Sequence, residues 1–453
     1  MNIVVLAAGM GKRMRSRLPK VLQPLAGRSM LDHVLDATSG FSEHPRVIVV
    51  GHCAEEVKAR YSDRDDLNFV LQVPQRGTGH ALMVACPGLD MNDARTLVCL
   101  GDVPLLSRDT ISRMAERASQ SDLVLLTVKL ENPTGYGRIV RNAEGNVCSI
   151  VEEKDASEEQ KKINEVNTGI MVLPTARLNA WLGALTNQNA QGEYYLTDVI
   201  ALAAAEGAQI TTVHPNDVYE VEGVNSKVQL AALERTWQRA RADRLLENGV
   251  TLIDPARIDI RGELTCGQDV EIDVGCIFEG KVTIGNGVRI GAYSIIRNTV
   301  IEDGVEVLPY CHFDGAVVGE SSRVGPYSRL RPGAELKGNN HIGNFVEVKK
   351  STVDVDSKIN HLTYIGDTDI GVRVNIGAGT ITCNYDGVNK FRTKIGDDAF
   401  IGSATQLVAP VEVGAMATIG AGTTLTRNAP EGKLTLSRAR QVTIDGWVRP
   451  TKK

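Results

Sequence analysis

Two constellations of polar residues in this chain could do chemistry, one near each end. The first is LAAGMGKRMRSRLPK, residues 6–20, which follows an apolar run. Gly9 and Gly11 let the backbone approach an anion closely and turn N–H groups toward it. Arg13 and Lys20 lie where a polyphosphate would be neutralised. Met14 stands where a dinucleotide fingerprint wants its third glycine, and no Gly-Lys-Ser/Thr follows, so the segment is neither that fingerprint nor a Walker loop. Asp102, in the stretch GDVPLL, is a hard oxygen ligand suited to Mg²⁺, which takes few protein carboxylates alongside phosphates. Standing alone after Gly101, it reads more readily as a turn residue than as a ligand.

The second constellation is spread over LRPGAE, VEVKK, INHLTYIGD, NIGAGT and ITCNYDG. His361 is the sole histidine between residues 350 and 453, and it reads as an interruption of an aliphatic phase beside Tyr364. Imidazole is suited to accept a proton near neutral pH. Acyl transfer to an amine needs such a base, and a positioned one is worth roughly 10²–10⁴-fold.

The elements that must hold these residues differ between the two halves. Residues 2–6, 46–50, 68–71, 96–100 and 122–128 read as strands with helical patterns between them. One such helix is capped by Ser29 and stopped at Gly40. Alternation of this kind predicts an open, mostly parallel, Rossmann-like sheet with helices on both faces, whose ligands bind beyond the carboxyl ends of the strands. Residues 226–248 contain neither Gly nor Pro and predict a long linker helix ending at Gly249. From residue 284 an aliphatic residue recurs at nearly every sixth position, usually followed by Gly. The anchors run Ile284, Ile290, Ile296, Ile301, Val307, Phe313, Val318, Val324, Leu330, Leu336, Ile342 and Val348, then Ile365, Ile370 and Ile376, then Ile395, Ile401, Leu407, Val413, Ile419 and Leu425. A period of six fits neither helix nor lone strand; it predicts a parallel β-helix with one hexad per flat side. Residues 382–394 break the phase, so a loop is expected to leave the prism carrying Asn384 and Tyr385, which its own coil cannot bury. The expected organisation is residues 1–225, a linker at 226–249, and a β-helix with a basic tail at 250–453.

With 453 residues, 42% hydrophobic content and 4% aromatics, the chain can fill cores with small aliphatic side chains. Its formal charge of −5 argues against a nucleic-acid partner. No apolar run reaches the length of about 18 residues that a membrane span needs, and MNIVVLAAG has no secretory-signal pattern, so a cytoplasmic protein is expected. The eight cysteines contain no C-x-x-C pair and read mostly as small core residues.

LAAGMGKRMRSRLPK matches L-x-x-G-x-G-x-R-x-x-x-x-x-P-K, the signature of the sugar-1-phosphate nucleotidyltransferases. Gln72, GTGHA at 77–81, GDVPLL, TGYGRI at 134–139, VEEKDA at 151–156, VNTGI at 166–170 and EVEGVN at 220–225 follow in that family's order. The hexads resemble those of the left-handed β-helix acyltransferases, homotrimers with sites in clefts between subunits. Together the resemblances imply acetylation of glucosamine 1-phosphate from acetyl-CoA, then transfer of UMP from UTP to N-acetylglucosamine 1-phosphate with Mg²⁺. The product would be UDP-N-acetylglucosamine, a precursor of peptidoglycan and lipopolysaccharide. By carry-over, Leu6, Ala7, Ala8, Gly9 and Gly101 hold the nucleotide, Gln72, Gly77 and Thr78 contact the base, and Arg13 and Lys20 stabilise the triphosphate. Gly137, Glu152 and Asn167 would bind the N-acetylhexosamine, and Asn225 would join Asp102 at the metal. In the second half, Arg331, Lys349, Tyr364 and Asn375 would bind glucosamine 1-phosphate, with His361 as base and Glu347 beside it. Ala378, Asn384, Tyr385, Ser403, Ala421 and Arg438 would contact acetyl-CoA. Two other readings stay open here: uridylyl transfer alone with a structural β-helix, and a non-catalytic regulatory scaffold.

Overall fold

A computed structural model describes residues 1–452; Lys453, part of the basic tail, lies outside the described residues. The chain forms two compact units, Met1–Trp237 and Gln238–Lys453, and the division falls within the helix Lys227–Glu247.

The first unit is built on a nine-stranded sheet. Its main path runs Ile210–Val213, Leu123–Lys129, Glu165–Pro174, Arg95–Leu100, Asn2–Leu6, Arg46–Val50 and Leu67–Leu71. The expected strands are all present and the main path is mostly parallel, with a single reversed strand that makes the sheet mixed. Glu165–Pro174 runs antiparallel to both of its neighbours and carries the antiparallel hairpin of Arg138–Arg141 and Val147–Val151. Alternation along the first strand sends Ile3 and Val5 to one core and Val4 to the other. The helix Met30–Ala37 covers one face through Leu31, Val34 and Leu35, and Thr78–Ala85 covers the other through Ala81, Leu82 and Ala85. Ser29 does cap its helix, in a reciprocal capping box with Asp32.

The second unit is a parallel β-helix. All strand pairs in its 11-stranded and 17-stranded sheets are parallel, and the register steps by about one coil at a time, as in Val307↔Val324, Val324↔Ile342, Ile342↔Ile359 and Ile359↔Ile376. Every aliphatic anchor expected from the sequence is buried. The coils begin earlier than the regular hexads, with Ile258–Cys266 paired along its length to Cys276–Ile284. Two features were not legible as hexads. Val353 and Ile359 continue the buried column between Val348 and Ile365, so His361 does not interrupt it. Buried Ser and Thr share the interior with aliphatics, their hydroxyls bonded to backbone carbonyls, as in Ser357 Oγ to Gly371 O (2.6 Å) and Thr405 Oγ1 to Gly402 O (2.6 Å).

One corner of the prism carries a column of residues in left-handed backbone conformation: Tyr293, Tyr310, Tyr327, Phe345 and Leu362, then Gly379, Ala404 and Gly422. The first four rings stack at centroid spacings of 5.0–5.4 Å. Of the cysteines, Cys99, Cys276 and Cys311 are fully buried and Cys86 and Cys266 pack against the cores, while Cys53, Cys148 and Cys383 lie partly exposed. No helix among the described residues is long and apolar enough to cross a membrane.

Candidate active sites

In the first unit the loop after Asn2–Leu6 is tied down by Ala7 N–H to Val49 O (2.8 Å) and by Gly101 N–H to Leu6 O (2.9 Å). A Cβ on Gly9 would meet nothing within 4 Å, so the backbone there faces open space. Gly11 differs, since its φ is +60° and a Cβ would come within 2.8 Å of Lys20 Cβ. The glycine therefore seats Lys20, whose ammonium donates to Asp102 and to Asn225 Oδ1 (2.7 Å).

Two cavities meet at this point. One, of about 350 Å³, is lined by Leu6, Ala7, Ala8, Gly9, Lys20, Gln72, Gly77, Thr78 and Asp102. The other, of about 440 Å³, is lined by Arg13, Asp102, Gly137, Glu152, Asn167 and Asn225. The residues assigned to nucleotide and to sugar thus separate into adjoining spaces that share Asp102. Arg13 reaches the second space rather than the first. Gly101 lines neither; its missing Cβ, which would lie 3.0 Å from Ala7 Cβ, lets two strand ends close up beneath the loop.

Several contacts fix these side chains. Gln72 Nε2 donates to Gly77 O (2.9 Å), and Thr78 Oγ1 accepts from Leu196 N–H (3.1 Å). Gly77 has φ +104° and abuts the Tyr194 carbonyl, leaving no room for a side chain. Thr197 Oγ1 donates to Glu152 Oε1 (2.9 Å). Burial pushes the Glu152 carboxyl upward, with Asp198 and Asp155 adding to the shift and the Thr197 bond opposing it. Although it lies in the acidic run VEEKDA, Glu152 thus faces the cavity, held by Thr197. Thr197 and Gln75, which donates to Ala8 O, escaped notice in the sequence because neither lies in a glycine-rich stretch.

A divalent cation can be tested against this geometry. The Asp102 carboxylate and the Asn225 amide oxygen converge on one point, where a lysine ammonium now sits. Two hard oxygens around one positive charge fit Mg²⁺ completed by phosphate oxygens and water.

In the second unit, His361 ends the strand Lys358–His361 at the prism corner, with its side chain exposed. Successive coils stack Asn344, His361, Ala378 and Ser403 in one column: Leu362 N–H bonds Asn344 O, Gly379 N–H bonds His361 O, Ala404 N–H bonds Ala378 O and Gly422 N–H bonds Ser403 O. Ala421 precedes Gly422 on the next coil, and the Arg438 side chain lies over Gly422. The corner is thus lined by stacked rings below His361 and by small residues above it. Ala378, Ser403, Ala421 and Arg438 form one continuous track leading away from the histidine, although small residues such as Ala378 and Ala421 would by themselves pass as repeat filler.

On the adjacent face, Glu347 pairs with Arg331 (2.7 Å) and Arg329 (3.6 Å), and Tyr364 lies directly beyond Glu347 in the ladder. The Lys349 ammonium is held below the usual lysine range, first by contact with Lys390, then by burial and by Arg331. Three cations crowded together make a place for an anion. Lys390 was missed in the sequence because it lies where the hexad phase breaks. The structure corrects one expectation there. Asn384 is buried by its own coil and donates Nδ2 to Asp367, whereas Tyr385 is exposed. Asn375 is not brought to this face; it pairs with Lys358 in the other sheet and lines a groove with His341.

Comparison with known proteins agrees with both halves. Residues 3–161 match the MobA-like NTP transferase domain, residues 260–337 the GMPPB C-terminal domain, and residues 392–427 the hexapeptide repeat of succinyl-transferase. The chain is 62% identical over 452 residues to the bifunctional protein GlmU of Ralstonia nicotianae, covering 100% of this chain and 99% of the relative. It belongs to the bifunctional GlmU family. The GlmU proteins of Azoarcus sp. and Bordetella bronchiseptica are 60% and 58% identical, each over 100% of both chains.

Proposed function

We propose that this chain is a bifunctional transferase that acetylates glucosamine 1-phosphate in its β-helix and uridylylates the product in its first unit, yielding UDP-N-acetylglucosamine. The observation that carries the reading is the pair of cavities sharing Asp102, since joining a nucleotide to a sugar phosphate requires two binding spaces that meet at the reacting phosphorus. Membership in the GlmU family supports the second activity.

In the first unit, a phosphate oxygen of N-acetylglucosamine 1-phosphate attacks the α-phosphorus of UTP and pyrophosphate leaves. Gln72, Gly77 and Thr78 position the base; Gly137, Glu152 and Asn167 position the sugar; the backbone at Ala7–Gly9 faces the phosphates. Lys20 and Arg13, on either side of the junction, stabilise charge on the transferring group. Asp102 and Asn225 would hold Mg²⁺, which when bound neutralises negative charge at the phosphates. Lys20 must then give up its contact with the two oxygens and turn toward the anion.

In the β-helix, the amine of glucosamine 1-phosphate attacks the thioester carbonyl, His361 accepts the amine proton, the C–S bond breaks, and that proton passes to the departing thiolate so that coenzyme A leaves as the thiol. Arg331 and Lys349, with Lys390 beside them, meet the sugar phosphate, and Glu347 keeps Arg331 oriented. Coenzyme A would lie along the Ala378–Ser403–Ala421 track toward Arg438, with Asn384 and Tyr385 at its flank. Within one chain Asn375 and Tyr364 stand on different faces of the corner. That split supports a homotrimer in which neighbouring prisms complete each site. The residues at 1–225 and 250–453 would then carry the two activities, in a cytoplasmic enzyme.

His361→Ala tests the second half. Acetyl transfer should fall at least about 10²-fold while uridylyl transfer persists. Wild-type acetyl transfer across neutral pH would make His361 structural and remove the proposed base.

A further inference from the structure

His361 has one side-chain partner, and its chemistry decides which ring nitrogen can act. Nδ1 lies 3.1 Å from Asn344 Oδ1. A neutral imidazole donates from one nitrogen and accepts at the other, and an amide oxygen can only accept. The contact is therefore Nδ1–H donating to Asn344, which leaves the lone pair on Nε2.

The backbone holds this pair in register. Asn344 and His361 are direct partners on adjacent parallel strands, and Leu362 N–H bonds Asn344 O at 3.1 Å. Gly343 lets the two coils close: a Cβ there would lie 1.9 Å from the Asn360 carbonyl oxygen. Coils normally stack at about 4.8 Å, so a side-chain contact between neighbours on the same column needs only two short polar groups. Directly beyond Asn344 the corner carries the bulky Phe345, whereas on the coils past His361 the same corner position holds Gly379 and Ala404, and the histidine's own column continues as Ala378 and Ser403. The open side of His361 is thus the one away from Asn344. The titratable group that interacts with the ring is His341, on the strand of Asn344, and His341 in turn faces Arg323, Lys358 and Glu306.

We propose that Asn344 is the positioning residue for the acetyl-transfer base: it selects the Nδ1–H tautomer of His361 and aims Nε2 at the amine of the acceptor sugar. This rests on the acetyltransferase reading of the site. Asn344 touches no reacting atom; it acts through the ring. When His361 takes the amine proton on Nε2, the Asn344 oxygen keeps its bond to Nδ1–H, so no reorganisation accompanies the transfer.

The test uses full-length Asn344→Ala, Asn344→Asp and His361→Ala proteins, with acetyl transfer followed as coenzyme A thiol release from about pH 6 to 9, and with the β-sheet circular dichroism and unfolding midpoint of each chain compared with wild type to show that its β-helix is folded. Asn344→Ala should lose about tenfold or more in kcat, a part of the 10²–10⁴-fold available to a positioned base, with KM for both substrates nearly unchanged. Asn344→Asp keeps an acceptor at Nδ1 and adds a negative charge that favours the imidazolium. Its acidic limb should therefore move up by about half a pH unit or more, with the rate recovering at high pH. A merely structural role would not move that limb. Wild-type kcat in Asn344→Ala, or a limb for Asn344→Asp coincident with wild type, would overturn the positioning role while a dead His361→Ala chain left the base in place. An active His361→Ala chain would remove the base and this proposal together.

Discussion

Asp102→Ala separates the two activities on a single side chain. Lys20 now bonds both Asp102 and Asn225, and its side chain is only 9% exposed, against 23% for Asp102. Removing the carboxylate leaves the ammonium with the Asn225 bond at 2.7 Å and whatever water can enter. A hydrogen bond to a charged group contributes about 1.5–3 kcal/mol, and the access of solvent to Asp102 puts the loss near the lower end. For a unit of this size each kcal/mol moves the melting midpoint by about 2–4 °C, so the variant should remain folded at assay temperature. Catalysis should suffer far more. Asp102 lines both cavities and supplies the one charged oxygen at their junction, so uridylyl transfer should fall at least about 10²-fold, equivalent to about 2.7 kcal/mol at the usual 1.36 kcal/mol per decade. Pyrophosphate release from UTP and N-acetylglucosamine 1-phosphate measures this directly, with coenzyme A release on the same sample as the control. Uridylyl transfer within about threefold of wild type would refute the placement of the reaction at Asp102.

Other outcomes follow from single contacts. Gly11→Ala forces a Cβ into Lys20 at a left-handed position and should cost about tenfold or more in uridylyl transfer with acetyl transfer unchanged; equal loss of both would mean general misfolding. Burial raises the Glu152 pKa above its ordinary 4.5, so the folded state binds more protons than the unfolded one and this group's destabilising effect grows as pH rises from 4.5 through the folded value. Glu152→Gln should therefore melt at or above wild type at pH 7, lose that advantage below about pH 4.5, and show a raised KM for the sugar phosphate; a lower melting midpoint at pH 7 would contradict the burial argument. Lys390→Ala should raise KM for glucosamine 1-phosphate about tenfold and weaken its salt dependence, which steady-state kinetics at two ionic strengths would check. A chain ending near Arg241 should keep uridylyl transfer and lose acetyl transfer, because every side chain placed at the first site lies within Met1–Trp237.

The sequence made periodic features readable wherever a single physical rule dominated. A buried aliphatic at every sixth residue has no solution except a stacked coil, so Ile284 to Leu425 could be assigned inward one by one. Ser29 was legible because a capping hydroxyl is a local matter. What escaped depended on neighbours distant in the chain. Glu165–Pro174 looks like any buried strand, and nothing within it tells that it runs antiparallel to Arg95–Leu100. His361 looked like an intruder among aliphatics because Ile359, two residues earlier, already held the inward place. Asn384 looked exposed because it opens an irregular loop, yet its amide turns back onto Asp367 of the preceding coil. At the sites, the glycine-rich loop and Asp102 announced themselves by type. Thr197, Lys390 and Asn344 did not, since each is an ordinary polar residue given meaning only by what it faces: Glu152, Lys349 and His361.

The central claim, two consecutive transfers on one polypeptide, is tested most directly by product analysis of the purified chain with glucosamine 1-phosphate, acetyl-CoA, UTP and Mg²⁺, leaving out one component at a time. The account predicts UDP-N-acetylglucosamine, coenzyme A and pyrophosphate from the complete mixture. Without acetyl-CoA there should be no sugar nucleotide until N-acetylglucosamine 1-phosphate is supplied; without UTP, N-acetylglucosamine 1-phosphate should accumulate. Failure of the complete mixture to yield a sugar nucleotide, or release of coenzyme A that does not depend on the amino sugar, would contradict it.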